Sequence, residues 1–282
     1  MNIPPIKLTE DTFIAFEEMQ RLKEKGCLIN KSVSTNNLET IYQKLRPYQS
    51  PVDLIRLGCD GDGGYLLPND LEGVVSCFSP GVDNQASFEK DLLEKYGIGS
   101  HLADYSVDAS PNNYHPLSFE KKYIGSHDND PSITLENWIK SRSGFNEKND
   151  FILQMDIEGS EYDTILSTPP YLLNQFRIII MELHWVDQWG LIVFNKIANA
   201  FLGKLLNLFN IVHIHPNNCE PLTNINGCLV PPVLEITLLR KDRFNSVIPN
   251  YVIPHPLDRP NSNDYINYEI PDLFRWLNKK SS

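Results

Sequence analysis

Apolar positions recur at two spacings along the chain. Phe13, Ile14, Phe16, Met19 and Leu22 sit three and four residues apart, which predicts a helix stopped by Gly26. Leu38, Ile41, Tyr42 and Leu45 predict a second short helix, ended by Pro47. From about residue 74 short apolar runs alternate with amphipathic ones. They predict strands at 74–79, 100–106, 121–126, 151–157, 177–184, 210–216 and 233–242. Helices are predicted at 85–97, at 132–142 with Ser132 or Thr134 as cap, from Ser160, and at 191–209. Strands alternating with helices of about ten residues or more imply parallel pairing and right-handed crossovers. The runs 151–155 and 178–181 are apolar at nearly every position, as strands covered on both faces are. The expected fold is α/β, a doubly wound and mostly parallel sheet. The expected organisation is an N-terminal helical accessory segment (1–50), the sheet domain (51–245), and a Pro- and Asn-rich tail (246–282) with a short helix at 271–277.

Composition narrows the partners. The 282 residues are 41% hydrophobic, ample for one large core. A formal net charge of -11 offers no general Lys/Arg footprint for nucleic acid and no polybasic patch for an anionic membrane. No apolar run reaches the roughly 18 residues of a membrane span. The longest candidate, 191–209, is broken by Asn195, Lys196, Asn199, Lys204 and Asn207. The opening MNIPPIKLTEDTF lacks an apolar signal region. Five cysteines without C-x-x-C spacing read as reduced thiols of a cytoplasmic protein.

In a doubly wound sheet, ligands sit beyond the carboxyl ends of the strands, so polar residues there are the site candidates. The first such loop is SPGVDNQASFE (79–89), where Gly81 permits a tight turn and the following helix offers free N–H groups to an anion. This is not the G-x-G-x-x-G of a dinucleotide site. Asp104 ends the second strand, where a carboxylate is placed to grip ribose hydroxyls. Gly125 and Ser126 end the third and would edge a base. Asp156 and Glu158, two apart after the fourth, point the same way if strand geometry persists. Glu182 and His184 share a face at the end of the fifth. Such a group suits proton removal from an acceptor hydroxyl, and also suits a divalent metal. His213 and His215 lie on one side of a strand; with Cys219 and Cys228 they match no common zinc spacing. They read as satisfied histidines, or, for His215, as an acceptor contact. DGDGGYLLP (60–68) fails as a calcium loop because its sixth position is Tyr65 and its twelfth Leu71. It reads as a structural turn or a flap over the cofactor site.

With these pieces placed, the sequence resembles the FkbM-type methyltransferase family, a branch of the class I S-adenosylmethionine-dependent methyltransferases. QMDIEGSEYDTIL (154–166) matches that family's DIEG-E signature, SITLENWI (132–139) its preceding Thr-Leu element, and FSPGVDNQASFE (78–89) stands where the class keeps its first cofactor loop. The resemblance covers about residues 55–242. The chain departs from the class in holding one glycine, Gly81, in a loop that is usually richer in them. The resemblance implies S-adenosylmethionine as cofactor and O-methylation of a sugar or natural-product hydroxyl in surface polysaccharide or secondary metabolism. The combined reading assigns Ser79, Gly81, Asp83, Asp104, Ser126 and Asp156 to the cofactor. It assigns His184, Asp156 and Glu182 to catalysis, and Glu158 and His215 to the acceptor. No metal is predicted. The competing readings are an NAD(P)-dependent oxidoreductase, disfavoured by the missing glycine fingerprint, and a non-catalytic cofactor-binding module, disfavoured by the ionisable cluster.

Overall fold

The computed structural model describes residues 18–26, 31–111, 114–142, 146, 148–265 and 268. Its centre is a seven-stranded sheet of β3 (Val74–Pro80), β4 (Ser100–Ala103), β5 (Ser118–Glu120), β8 (Asp150–Met155), β9 (Phe176–Leu183), β10 (Phe209–Pro216) and β13 (Leu234–Arg240). The spatial order is β10-β13-β9-β8-β3-β4-β5. The strands from β9 to β5 in that order pair in parallel, while β13 runs antiparallel to both β9 and β10. This is a doubly wound, mostly parallel α/β sheet with one reversed strand near an edge.

Alternation within the apolar strands builds two cores. Phe151, Leu153 and Met155 of β8, with Ile179, Met181 and Leu183 of β9, enter one cluster. Helices α2 (Thr35–Gln43), α4 (Leu135–Lys140), α5 (Glu161–Ser167) and α7 (Ile192–Leu208) cover that face through Ile41, Trp138, Ile165 and Phe201. The short α6 (Pro170–Leu173) adds Leu172 and Leu173 to it. Ile152, Ile178 and Ile180 enter the other cluster, under Phe88 and Leu92 of α3 (Ser87–Tyr96). The β1 (Leu54–Leu57) and β2 (Tyr65–Pro68) hairpin closes that second face, and Thr237 Oγ1 donates to the Leu66 carbonyl at 2.6 Å. A second hairpin, β11 (Thr223–Ile225) with β12 (Cys228–Val230), interrupts the chain between β10 and β13. Leu38, Ile41, Tyr42 and Leu45 are fully buried, and the Tyr42 hydroxyl donates to the Val186 carbonyl. Residues 18–24 are helical (α1) and Gly26 follows with φ +80. Phe13, Ile14, Phe16 and the expected helix at 271–277 lie outside the described residues.

The expected third strand is corrected. The sheet edge is β5, whose Phe119 sits opposite Leu102 in register and packs against Val82 and Tyr114. Residues 123–125 form β6, which pairs with β7 (Ser132–Thr134) in a separate ribbon. Thr134 then caps α4 by accepting from the Asn137 N–H.

An ionic staple binds the sheet edge at which β8 begins. Asp150 pairs with Arg177 at the start of β9 (2.7 Å) and with Arg240 at the end of the reversed β13 (2.6 Å). Burial pushes the Asp150 carboxyl upward, but hydrogen bonds from Arg240 and Arg177 outweigh it and hold the group below its ordinary value. A depressed carboxyl stabilises the fold above its unfolded pKa, and that contribution disappears as pH falls through the folded value. Asp150→Ala is expected to cost about 1–2 kcal/mol by removing the anion shared by two guanidinium groups, which keep Asp70 and Asp242 as their other partners, read as a lower urea midpoint at neutral pH and a smaller gap from wild type in acid. At the other end, a Cβ on Gly81 (φ +80) would lie 1.5 Å from the Asp156 carbonyl oxygen. Gly81→Ala is expected to lower the melting temperature, with a loss of about 2 kcal/mol or more.

Candidate functional site

The chain leaves β3 toward β4 and β5 on one side and returns to β8 and β9 on the other, so strand order reverses between β3 and β8. A cavity of about 80 Å³ opens there. Gly81, Val82 and Asp83 after β3, Gln154 and Asp156 of β8 and its end, and Phe88 and Glu89 of α3 form one side. Asp62, Gly63 and Tyr65 line it as well, so the glycine-dense turn reaches this cavity. The lining holds four acidic residues, Asp62, Asp83, Glu89 and Asp156, and neither Lys nor Arg. No side chain caps the first turn of α3 at Ala86.

Of the residues expected at a cofactor, Gly81, Asp83 and Asp156 line the cavity. Ser79 lies beneath it, wholly buried and hydrogen-bonded with Glu89 and Gln154. Burial raises the Glu89 carboxyl. Asp104 fixes the loop: Oδ2 accepts from the Asp83 N–H at 2.8 Å, and Oδ1 accepts from the Ser106 N–H and hydroxyl. Those bonds hold Asp83 at φ 42, a left-handed conformation uncommon for a residue with a side chain. Ser126, at the end of β6, stands in the separate ribbon and donates to Asp163 at 2.9 Å.

The second half of the site gathers around His184. Nε2 lies 3.3 Å from Glu158 Oε2, 3.9 Å from Asp156 Oδ1 and 4.0 Å from Glu182 Oε1. The four groups expected to converge are therefore brought together. They do not arrive by strand parity, because β8 ends at Met155 and the backbone turns left-handed at Glu158 (φ 55) and Gly159 (φ 98). Gly159 is also pressed by the Trp185 ring, 2.4 Å from where a Cβ would stand.

A fifth group is absent from the residues expected at the site. Glu161 has no exposed surface, and its Oε1 accepts from the Ile157 and Gly159 N–H groups and faces His184 Nδ1 at 3.3 Å. The sequence does carry a signal for it: an acid in the first turn of a helix, three residues after Glu158, reaches back to free N–H groups.

Charge in this cluster is mutually adjusted. Burial raises the Asp156 carboxyl to about 7, opposed by His184 and aided by Glu158 and Glu161. His184 rises to about 9: burial opposes its charge, and Glu161, Asp156 and Glu158 outweigh burial. Burial, then Asp156 and Glu235, push Glu182 well up, while Asn217 donates to its Oε1 at 3.0 Å.

His213 and His215 both turn to Asp258. His213 Nε2 lies 2.8 Å from Asp258 Oδ1, and His215 Nδ1 lies 3.8 Å from Oδ2. His215 is buried opposite Glu235 in register, and Glu235 stands opposite Glu182. The described part of the tail closes over this row, where Asn261 donates to Glu235 and its carbonyl accepts from the Asp62 N–H.

Among the described residues no helix is long and apolar enough to cross a membrane. No curated protein matches the chain. The methyltransferase FkbM domain matches residues 10–209, which includes the cavity lining and the His184 cluster but not the residues of β13, the tail or those after the first residue of β10. The chain therefore belongs to the FkbM methyltransferase family, whose members draw the methyl group from S-adenosylmethionine.

Proposed function

We propose that the chain O-methylates a hydroxyl of a small-molecule or saccharide acceptor, a sugar or natural product of surface-polysaccharide or secondary-metabolite pathways. The reading is carried by one residue, Asp156, which lines the cavity and also faces His184 at 3.9 Å, so the donor site and the ionisable cluster adjoin. We place the activity in the cytoplasm, which the free thiols of Cys59, Cys77 and Cys219 favour.

The cavity fits the cofactor's chemistry. Its acidic walls suit a sulfonium and an ammonium group, and the uncapped first turn of α3 suits a carboxylate. S-adenosylmethionine supplies a methyl group already carried on a good leaving group. The protein's work is then mainly positioning. Gly81 and Asp83 form the floor, and Asp104 holds Asp83 and keeps acceptor capacity for a ribose diol. Asp156, His184 and Glu182 surround the acceptor oxygen: a carboxylate of the cluster takes up its proton, and His184, held protonated at neutral pH by its acidic neighbours, orients that oxygen. Glu158 and His215 contact the remainder of the acceptor, Glu158 from the solvent side and His215 along the polar row of β9, β13 and β10. We assign Ser126, in the β6–β7 ribbon outside the cavity lining, to the adenine edge.

Two variants separate binding from transfer. Asp104→Ala is expected to weaken S-adenosylmethionine binding by about tenfold to a hundredfold in titration calorimetry. His184→Ala is expected to slow single-turnover transfer by about a hundredfold or more while the cofactor dissociation constant stays within about twofold. Equal loss of cofactor binding in both variants would contradict these roles.

A further inference from the structure

Four carboxyl groups stand around one imidazole at the ends of β8 and β9: Asp156, Glu158, Glu161 and Glu182 about His184. Among the described residues no Lys or Arg is paired with any of them. A single imidazolium balances one carboxylate, so the cluster keeps an excess of negative charge. One ligand atom each from Asp156, Glu161 and His184 lie within 4.8 Å of one another.

Two further observations separate this group from an ordinary acidic patch. Oε2 of Glu161 is buried without a hydrogen-bond partner, in a residue with 0% exposure. Oδ1 of Asp156, the atom that faces Nε2, is likewise buried and unpartnered. A carboxylate oxygen left bare in a dry interior is costly, and a cation relieves that cost.

We propose that Asp156, Glu161 and His184 hold a divalent metal ion, His184 releasing its proton as the ion binds, with Glu158 at its solvent side. Two carboxylates and one imidazole suit Mn²⁺, Fe²⁺ or Zn²⁺ better than Ca²⁺, which prefers an all-oxygen cage. Three protein ligands leave coordination positions open to an acceptor. The inference rests on the O-methylation reading and narrows it: an acceptor with two adjacent oxygens, a vicinal diol, would chelate the ion. Metal coordination makes the hydroxyl more acidic. Its proton passes to the Glu182 carboxylate, whose ionised form the bound cation favours against burial, the oxygen forms a bond to the methyl carbon, the carbon–sulfur bond breaks, and the sulfur leaves with the electron pair as a neutral thioether.

The test uses the full chain and metal alone. Mn²⁺ titration calorimetry is expected to give one site. Tb³⁺ is expected to luminesce under tryptophan excitation, because the Trp185 ring packs on Gly159 beside Glu158. Trp185→Phe should dim that emission without abolishing Mn²⁺ binding. Glu161→Gln should weaken Mn²⁺ by about tenfold to a hundredfold. Glu158→Gln, whose side chain is 86% exposed and cannot compromise folding, should weaken it severalfold, while Glu94→Gln on α3 should leave it unchanged. A protein that binds S-adenosylmethionine but shows neither Mn²⁺ heat nor Tb³⁺ emission would overturn the metal site and leave the methyltransferase reading intact. Mn²⁺ affinity unchanged in both Glu161→Gln and Glu158→Gln would overturn it as well. Metal binding without cofactor binding would instead count against the donor site.

Discussion

Where β3 and β8 end side by side, the backbone of Gly81 lies against the carbonyl of Asp156, and the Asp156 N–H donates to the Pro80 carbonyl at 3.2 Å. No side chain fits between them. This contact fixes the distance between the first loop and the DIEG turn, and with it the distance between a cofactor floor and an ionisable cluster. Asp104 reinforces the arrangement from β4 by holding the Asp83 N–H. The site is thus assembled from backbone closeness first, and its side chains are placed by that closeness.

The cluster built on this contact is electrostatically uncomfortable. Glu161 opens α5 and Glu182 lies near the end of β9, both buried, and each has an oxygen without a hydrogen-bond partner. The turn they surround is held by that same chemistry: Glu161 satisfies two N–H groups of the turn with one oxygen and orients His184 with it. A buried acid that both shapes a loop and faces an imidazole is difficult to replace, because neutralising it releases the loop and the ring together.

Most of the fold was legible because β8 and β9 alternate between two apolar faces, a pattern that only a sheet covered on both sides requires. The edge was not. SFEKKYIGS holds two short runs with equal claim to a strand, and the choice fell to Phe119 through its packing beside Leu102, a tertiary contact invisible in sequence. The β1–β2 hairpin was hidden by its glycine turn and by Arg56, a charge within a four-residue strand. That guanidinium is spent on the carbonyls of Cys59 and Gly61, which stiffens the turn lining the cavity. In the site, Asp156, Glu158, Glu182 and His184 were legible from their strand-end positions. Glu161 was not, since a helix-start acid reads as a cap until the loop before it is seen to fold back.

Arg240 owes its reach to the reversal of β13, which returns that residue to the edge where β8 starts and delivers it to Asp150. Had the strand run parallel to β9, its last residue would stand at the rim instead and bring a cation into the acidic row. The antiparallel strand therefore works as a charge sorter. It sends arginine to the end of the sheet that needs anchoring, and brings Glu235 to the end that stays negative.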